Sequence, residues 1–235
     1  MQEQFDKLRL QTIEILPAKC YHRTMKKFFR VLGKGIDAFF GAIVYVLASL
    51  LSILLFVPIW LCFPTITFNK KALKRQKGAK IVAINHFSNF DAIIFILLVC
   101  PLKRYKFLGK KELQKVPVLG WLLRHIGVVY ISRGSTDIGA IKQVNALLRK
   151  GKTLVIYPEG TRNKTGTEDL QALKTGVIMF SNLSGAPIVP AKMAHKPKLF
   201  SVNNITFGDA YLPPRVKGEG LKLQAEVLAE KIKNL

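Results

Sequence analysis

Acidic residues are scarce in this chain. Its 235 residues include 14 Asp and Glu against 37 Lys and Arg, a formal charge of +23 at pH 7. Such an excess calls for a polyanionic partner: nucleic acid, an anionic membrane surface, or acidic substrates and carriers. Cysteine is scarce as well. Cys20, Cys62 and Cys100 follow no metal-ligand spacing, and an odd count completes no disulfide framework, so reduced structural thiols are expected and no metal. Of the four histidines, His22, His125 and His195 have neither a carboxylate nor a metal-ligand spacing beside them and read as structural or surface residues. There is no Gly-x-Ser-x-Gly element, which excludes the strand-turn-helix serine nucleophile. There is no internal repeat or low-complexity tract.

Apolar sequence is abundant. The chain is 49% hydrophobic. A nucleic-acid-binding domain is usually basic and polar, so basic and apolar together point to lipid, and nucleic acid is not expected as a partner. Residues 1–35 carry Lys19, Arg23, Lys26, Lys27, Arg30 and Lys34 among Phe28, Phe29, Val31 and Leu32, the composition of an amphipathic membrane-surface helix. Ala38 to Phe63 is uncharged. As one helix it would reach roughly 39 Å, against about 30 Å of hydrocarbon in a bilayer. It starts too far into the chain for a signal peptide and ends at no small-residue cleavage site. Basic residues flank both ends, Lys26 to Lys34 before it and Lys70 to Lys80 after it. If basic flanks stay cytoplasmic, both ends lie on one face. The expectation is therefore a helical hairpin dipped into the cytoplasmic leaflet, favoured over a single span, with Gly33, Gly35, Gly41 or Pro58 as break points.

From Lys80 onward, short apolar runs alternate with helical stretches. Ile81–Ile84, Tyr105–Leu108, Val128–Ile131, Leu154–Tyr157 and Ile188–Pro190 read as strands. Asp91–Val99, Gln114–His125, Ile138–Arg149 and Leu173–Leu183 read as helices, and Leu221–Leu235 as a closing amphipathic helix. This alternation predicts an α/β fold, a mostly parallel sheet flanked by helices, following an N-terminal helical membrane anchor. The expected domains are 1–68 for the anchor and 69–235 for the α/β domain.

Candidate chemistry follows the predicted strands. After Ile81–Ile84 comes Asn85-His86-Phe-Ser-Asn-Phe-Asp91, an imidazole five positions before a carboxylate. A carboxylate can hold an imidazole in one tautomer and stabilise the imidazolium, which makes a general base. A simpler reading has Asp91 capping a helix that begins at Ala92. After Val128–Ile131 come Ser132, Arg133 and Gly134. After Leu154–Tyr157 come Pro158, Glu159, Gly160, Thr161 and Arg162. In parallel sheets ligands bind beyond the carboxyl ends of the strands, so these groups should share one rim. Two guanidiniums beside glycine-rich backbone suit a phosphate dianion.

In these motifs the chain resembles the bacterial 1-acylglycerol-3-phosphate acyltransferases, within the wider glycerolipid acyltransferases. His86-Phe-Ser-Asn-Phe-Asp91 looks like the family's His-x4-Asp. Gly127 to Arg133 is similar to its second motif, Tyr157-Pro-Glu-Gly-Thr-Arg162 to its third and Ile188-Val-Pro-Ala191 to its fourth. Lys110-Lys-Glu-Leu113 with Val116 to Trp121, and Lys174-Thr-Gly176, resemble smaller family elements. The chain departs from the pattern at Ser132, where Asp commonly stands, at Tyr157 for Phe and at Asn163 for Ser. The resemblance implies acyl transfer from an acyl carrier protein or CoA thioester, a co-substrate and not a bound cofactor, to the sn-2 hydroxyl of a membrane lipid, lysophosphatidate. It implies His86 and Asp91 as the catalytic dyad. Lys111, Arg133 and Arg162 would hold the phosphate. Glu159 would bind a glycerol hydroxyl or orient a cation, and Gly160, Thr161 or the amides of the first motif would lie against substrate. Glycerol-3-phosphate or another lysolipid is an alternative acceptor, and a non-catalytic basic membrane-binding protein an alternative of another class. The expected location is the cytoplasmic membrane, with the site on its cytoplasmic face.

Overall fold

The computed structural model describes residues 30, 31, 33, 35–43, 46, 47, 50, 54, 57–99, 105–117, 120, 123, 127–132, 137–163 and 169–235. Two compact units result, Met1–Tyr45 and Val46–Leu235. The described residues of the first unit are helical and mostly exposed. Among the described residues no helix is long and apolar enough to cross a membrane. Gly33, Gly35, Gly41 and Pro58, the expected break points, are each helical.

The second unit is built on seven strands: β1 (Thr65–Phe68), β2 (Lys80–Ile84), β3 (Tyr105–Lys110), β4 (Val129–Ile131), β5 (Thr153–Ile156), β6 (Ile188–Met193) and β7 (Asn203–Phe207). Their order across the sheet is β1-β7-β6-β2-β5-β3-β4. The five strands from β6 to β4 are parallel; β7 pairs antiparallel with β6, and β1 runs parallel to β7. The five expected strands are therefore the parallel ones, and the reversed pair β7 and β1, at one end of the sheet, was not expected. β1 draws on residues that the sequence reading assigned to the anchor.

The central strands β2 and β5 are buried at every position because helices cover both faces of the sheet. Side chains alternate across it. Val82, Ile84, Val155, Val189 and Phe207 join Phe63, Leu73, Ile94 and Phe95 in one core. Ile81, Ala83, Leu154, Ile156 and Ile188 join residues of three helices in the other. Those helices are α3 (Ile138–Arg149), α4 (Gly176–Ser184) and α5 (Glu219–Lys233). The first face is covered by the short helices α1 (Lys70–Arg75) and α2 (Asn89–Ile94), the latter continued by a π turn over Phe95–Val99. Phe95 meets Phe107 and Phe207 edge-on, centroids 6.3 and 6.2 Å apart. The helix expected over Gln114–His125 differs: its start lies in a 3-10 turn at Lys111–Lys115, and Gly120 and Leu123 are helical. That turn presents no buried residue, and most of the expected helix beyond it lies outside the described residues.

Candidate active site

The carboxyl ends of the five parallel strands form one edge, and the candidate residues follow them. β2 delivers Asn85 and His86. Asn85 is buried and acts as an extra rung between β2 and β6: its Nδ2 donates to the Met193 carbonyl (2.9 Å), and its Oδ1 accepts from the Met193 N–H (2.7 Å). Parallel ladders end raggedly, and a carboxamide reproduces the pairing of a peptide unit where the strand stops. The sequence reading passed over Asn85; its only signal is a carboxamide directly after an apolar strand.

His86 then turns toward Asp91. Its Nδ1 lies 2.9 Å from Asp91 Oδ2, and Asp91 is fully buried while the His86 side chain keeps 15% exposure. The same Oδ2 accepts from the Phe87 N–H (2.6 Å) and the Ser88 N–H (2.8 Å), and Oδ1 accepts from the Ser88 hydroxyl (2.8 Å). Ser88 caps α2, and with Asp91 at the third helical position it forms a capping box. The capping and dyad readings of Asp91 thus describe one arrangement, with Ser88 and not Asp91 in the cap position. Three main-chain or hydroxyl donors hold the carboxylate in place, and the imidazole is the fourth partner. A carboxylate only accepts, so Nδ1 carries the proton and Nε2 is left with its lone pair.

The ring is fixed from a third side. Tyr157 stacks on His86 with centroids 4.1 Å apart and planes 26° from parallel. The Tyr157 ring that departs from the family's Phe keeps the flat apolar body on which the imidazole rests.

Glu159 is only 3% exposed, and both of its oxygens face main-chain donors that were not read from the sequence. Oε1 accepts from the His86 N–H (2.7 Å) and Oε2 from the Gln171 N–H (3.2 Å). The Asn163 N–H donates back to the His86 carbonyl (2.8 Å). Both peptide groups of His86 are therefore tied to the segment after β5. Burial pushes the Glu159 carboxyl above its usual range; the hydrogen bonds from His86 and Gln171 and the His86 charge pull it down, and the Asp91 charge adds to the rise. Gln171 was not singled out from sequence, and Asn163 only as a departure from the family pattern, because a main-chain donor leaves no residue-type signal.

The third motif leaves β5 by a turn closed by Gly160 N–H to the Tyr157 carbonyl (3.0 Å). Gly160 sits at φ +73°, and a Cβ there would press within 3.3 Å of Lys174 Cγ, so both backbone and space call for glycine. The amides of Phe87, Ser88 and Gly160, expected near substrate, are thus engaged within the protein. Thr161 and Arg162 follow the turn and are exposed. The Arg162 side chain lies one residue before the Asn163 amide that grips His86. Lys111, also exposed, opens the 3-10 turn after β3. Its charge is felt by Asp137, which caps α3; main-chain hydrogen bonds from Ala140 and Ser132 hold the Asp137 carboxyl below its usual range, with Lys111 adding to them. Arg133 lies outside the described residues, as do His22, His125, Cys20 and Cys100; β4, which precedes Arg133, ends on the same sheet edge. Cys62 is a free thiol. The His195 ring nitrogens face the carbonyls of Lys196 (3.0 Å) and Val202 (3.1 Å), a structural role.

A likeness to solved proteins runs through this frame. The crystal structure of the 1-acyl-sn-glycerophosphate (LPA) acyltransferase PlsC from Thermotoga maritima superposes with a TM-score of 0.59 at 21% identity, over 78% of this chain and 76% of that one; the two share the fold. The 1-acyl-sn-glycerol-3-phosphate acyltransferase of Borreliella burgdorferi is 32% identical over 135 residues, 56% of this chain and 52% of that protein. A lyso-ornithine lipid O-acyltransferase of Pseudomonas aeruginosa is 36% identical over 114 residues, 48% of this chain and 42% of that protein. The chain spans about half the length of these curated relatives. The profile of the family described as Acyltransferase matches residues 65–194, from the first strand of the sheet through the end of β6 and so across the whole edge that carries the dyad. That stretch exceeds half of the chain, and the chain belongs to the acyltransferase family.

Proposed function

We propose that this protein transfers a fatty acyl group from a thioester, acyl carrier protein or CoA, to the sn-2 hydroxyl of 1-acylglycerol-3-phosphate, giving phosphatidate. The observation that carries the reading is the buried Asp91 carboxylate on His86 Nδ1, which leaves Nε2 as a base on the exposed side of the ring. An alcohol is a weak nucleophile near neutral pH. Nε2 takes the hydroxyl proton as the oxygen attacks the thioester carbonyl, and Asp91 stabilises the imidazolium. As the tetrahedral intermediate collapses, the C–S bond breaks and the thiolate recovers the proton from Nε2. A thiolate leaves readily, so no second acid is required. Transfer is direct: Ser88, the hydroxyl nearest the dyad in sequence, is committed to Asp91 Oδ1 and to the Phe90 N–H (3.1 Å).

Arg162, Lys111 and Arg133 bind the acceptor phosphate in this reading, with Thr161 beside them. Glu159 keeps His86 in position through its main chain. The N-terminal apolar run holds the enzyme at the cytoplasmic membrane, and the basic surface attracts anionic headgroups and an acidic carrier. No bound cofactor or metal enters the scheme.

The relative named for lyso-ornithine lipid favours a second acceptor reading, in which the same base serves a different lysolipid. A thioester-release assay with lysophosphatidate, glycerol-3-phosphate and a panel of lysolipids, run with carrier-protein and CoA donors in parallel, tests both. Release that depends on lysophosphatidate is expected; release with another acceptor alone supports the second reading, and no acceptor-dependent release by the wild-type chain refutes both.

A further inference from the structure

The loop between β6 and β7 carries side chains that the reaction does not use. Leu199 is 59% exposed, Phe200 76%, and Val202 is also exposed. Soluble surfaces scatter single apolar residues, but two large ones in sequence at a loop tip are unusual. The exposure does not arise from a loose loop. The His195 ring spans its base between the Lys196 and Val202 carbonyls. Asn203, fully buried, donates through Nδ2 to the Ser201 carbonyl (2.9 Å), and its own N–H donates to the Pro64 carbonyl (2.7 Å). Phe200 stands at φ +57°, a conformation that bulky residues rarely adopt. The loop is built to hold the Phe200 ring outward.

The surroundings of the tip identify what covers it. The Phe200 N–H donates to the Cys62 carbonyl (2.7 Å), where the helical residues 57–62 end, and so satisfies a carbonyl that the helix leaves open. That helix exposes Val57, Trp60 and Leu61. Next to it Phe63 packs on Phe90 of the first motif, rings 5.0 Å apart, and Phe90 is itself exposed. Apolar surface thus continues from the uncharged run into the loop. Lys196 and Lys198, both exposed, precede the tip within four residues, and the stretch 196–202 has no acidic residue. An apolar tip directly after exposed lysines fits a lipid surface with anionic headgroups.

We propose that residues 196–202 form a membrane-contact element, with Leu199 and Phe200 entering the acyl region of an anionic leaflet and Lys196 and Lys198 lying among its headgroups. This contact is separate from the N-terminal run. It also bears on the site. β6 leads into the loop, and Met193 at the end of β6 is bonded to Asn85, the residue before His86. A loop seated in lipid therefore fixes the height of the dyad above the leaflet.

The test uses the full chain with Cys20, Cys62 and Cys100 changed to Ser and a nitroxide on Phe200→Cys; Ser at 62 keeps the main-chain carbonyl that Phe200 uses. Bound to phosphatidylglycerol vesicles, the label should become accessible to oxygen and shielded from a water-soluble nickel chelate. A label on Leu223→Cys, exposed near the start of α5 and toward the opposite edge of the sheet, should stay in water. A Phe200 label as open to nickel as the Leu223 label, on vesicles that co-float with the protein, overturns the proposal. So does spin–spin broadening without vesicles, which would assign the tip to a second copy of the chain. Independently, Leu199→Ser/Phe200→Ser in the natural-cysteine chain should lower vesicle partition about tenfold or more at an unchanged melting temperature. Lys196→Gln/Lys198→Gln should lower it by about tenfold on phosphatidylglycerol and little on phosphatidylcholine. Unchanged partition in the apolar variant overturns the proposal. None of these readings requires turnover, so they stand or fall apart from the acyl-transfer reading.

Discussion

Two loops on the same edge of the sheet use one fastening and present opposite chemistry. The loop after β5 is tied to His86 by the Glu159 carboxylate and the Asn163 amide, and it presents Thr161 and Arg162. The loop after β6 starts at Met193, tied to Asn85, and presents Leu199 and Phe200. In both, buried polar side chains satisfy main-chain groups at a strand end, where the ladder leaves peptide groups unpaired. With the backbone held in that way, the outward side chains are free to suit a ligand. One set suits a phosphate and the other an acyl layer, the two ends of a lysolipid.

Variants can break this comparison at either end. The largest effect is expected at the group both loops serve. His86→Ala should lower turnover about a thousandfold or more while leaving the melting temperature and vesicle binding close to wild type; retained turnover would take the base role away from His86. Next is Arg162→Ala, which should raise the KM for lysophosphatidate by about 10- to 100-fold with a smaller change in kcat, and Arg162→Lys should restore only part, because a lysine cannot bind phosphate bidentately. A fall in kcat alone would move Arg162 from headgroup binding to the reacting centre.

The fastenings themselves should show in stability. Glu159→Gln leaves one oxygen for two N–H donors and turns an amide toward one of them, a loss of about 1–3 kcal/mol in urea unfolding. Its pH dependence sharpens the point. The folded-state pKa of Glu159 is raised, mainly by burial, so the folded protein binds a proton more readily than the unfolded chain does. The wild type should therefore gain stability relative to the Gln variant as pH falls through that raised pKa. The opposite slope would mean that the two main-chain hydrogen bonds outweigh burial. The smallest effect is expected for Asn85→Ala, about 1–2 kcal/mol, with both loops loosened together in hydrogen exchange at Met193 and His86.

The alternation of apolar strands with helices was legible because each central strand is buried on both faces and reads as an unbroken apolar run, and α3 was found with the bounds Ile138–Arg149. β1 and β7 were missed for the converse reason. They are short strands with alternating burial, reversed against the rest at one end of the sheet, and β7 opens on two asparagines that read as a turn. The contact between His86 and Asp91 was legible because the two are five residues apart. Glu159 was singled out, but its main-chain partners His86 and Gln171 were not, since a carboxylate in a glycine turn beside two arginines suggests an outward role.

What the sequence settled by itself was local: an imidazole and a carboxylate five positions apart, an apolar repeat that can only be strand or helix, and a strongly basic charge balance. Those depend on neighbours along the chain, and the chain states its neighbours. Which distant peptide groups face each other was decided only by folding. Glu159 meets His86 across 73 positions and Asn85 meets Met193 across 108. Every residue but proline offers the same N–H, so nothing in the amino-acid code marks which of them a buried oxygen will find until the sheet has brought the strand ends together.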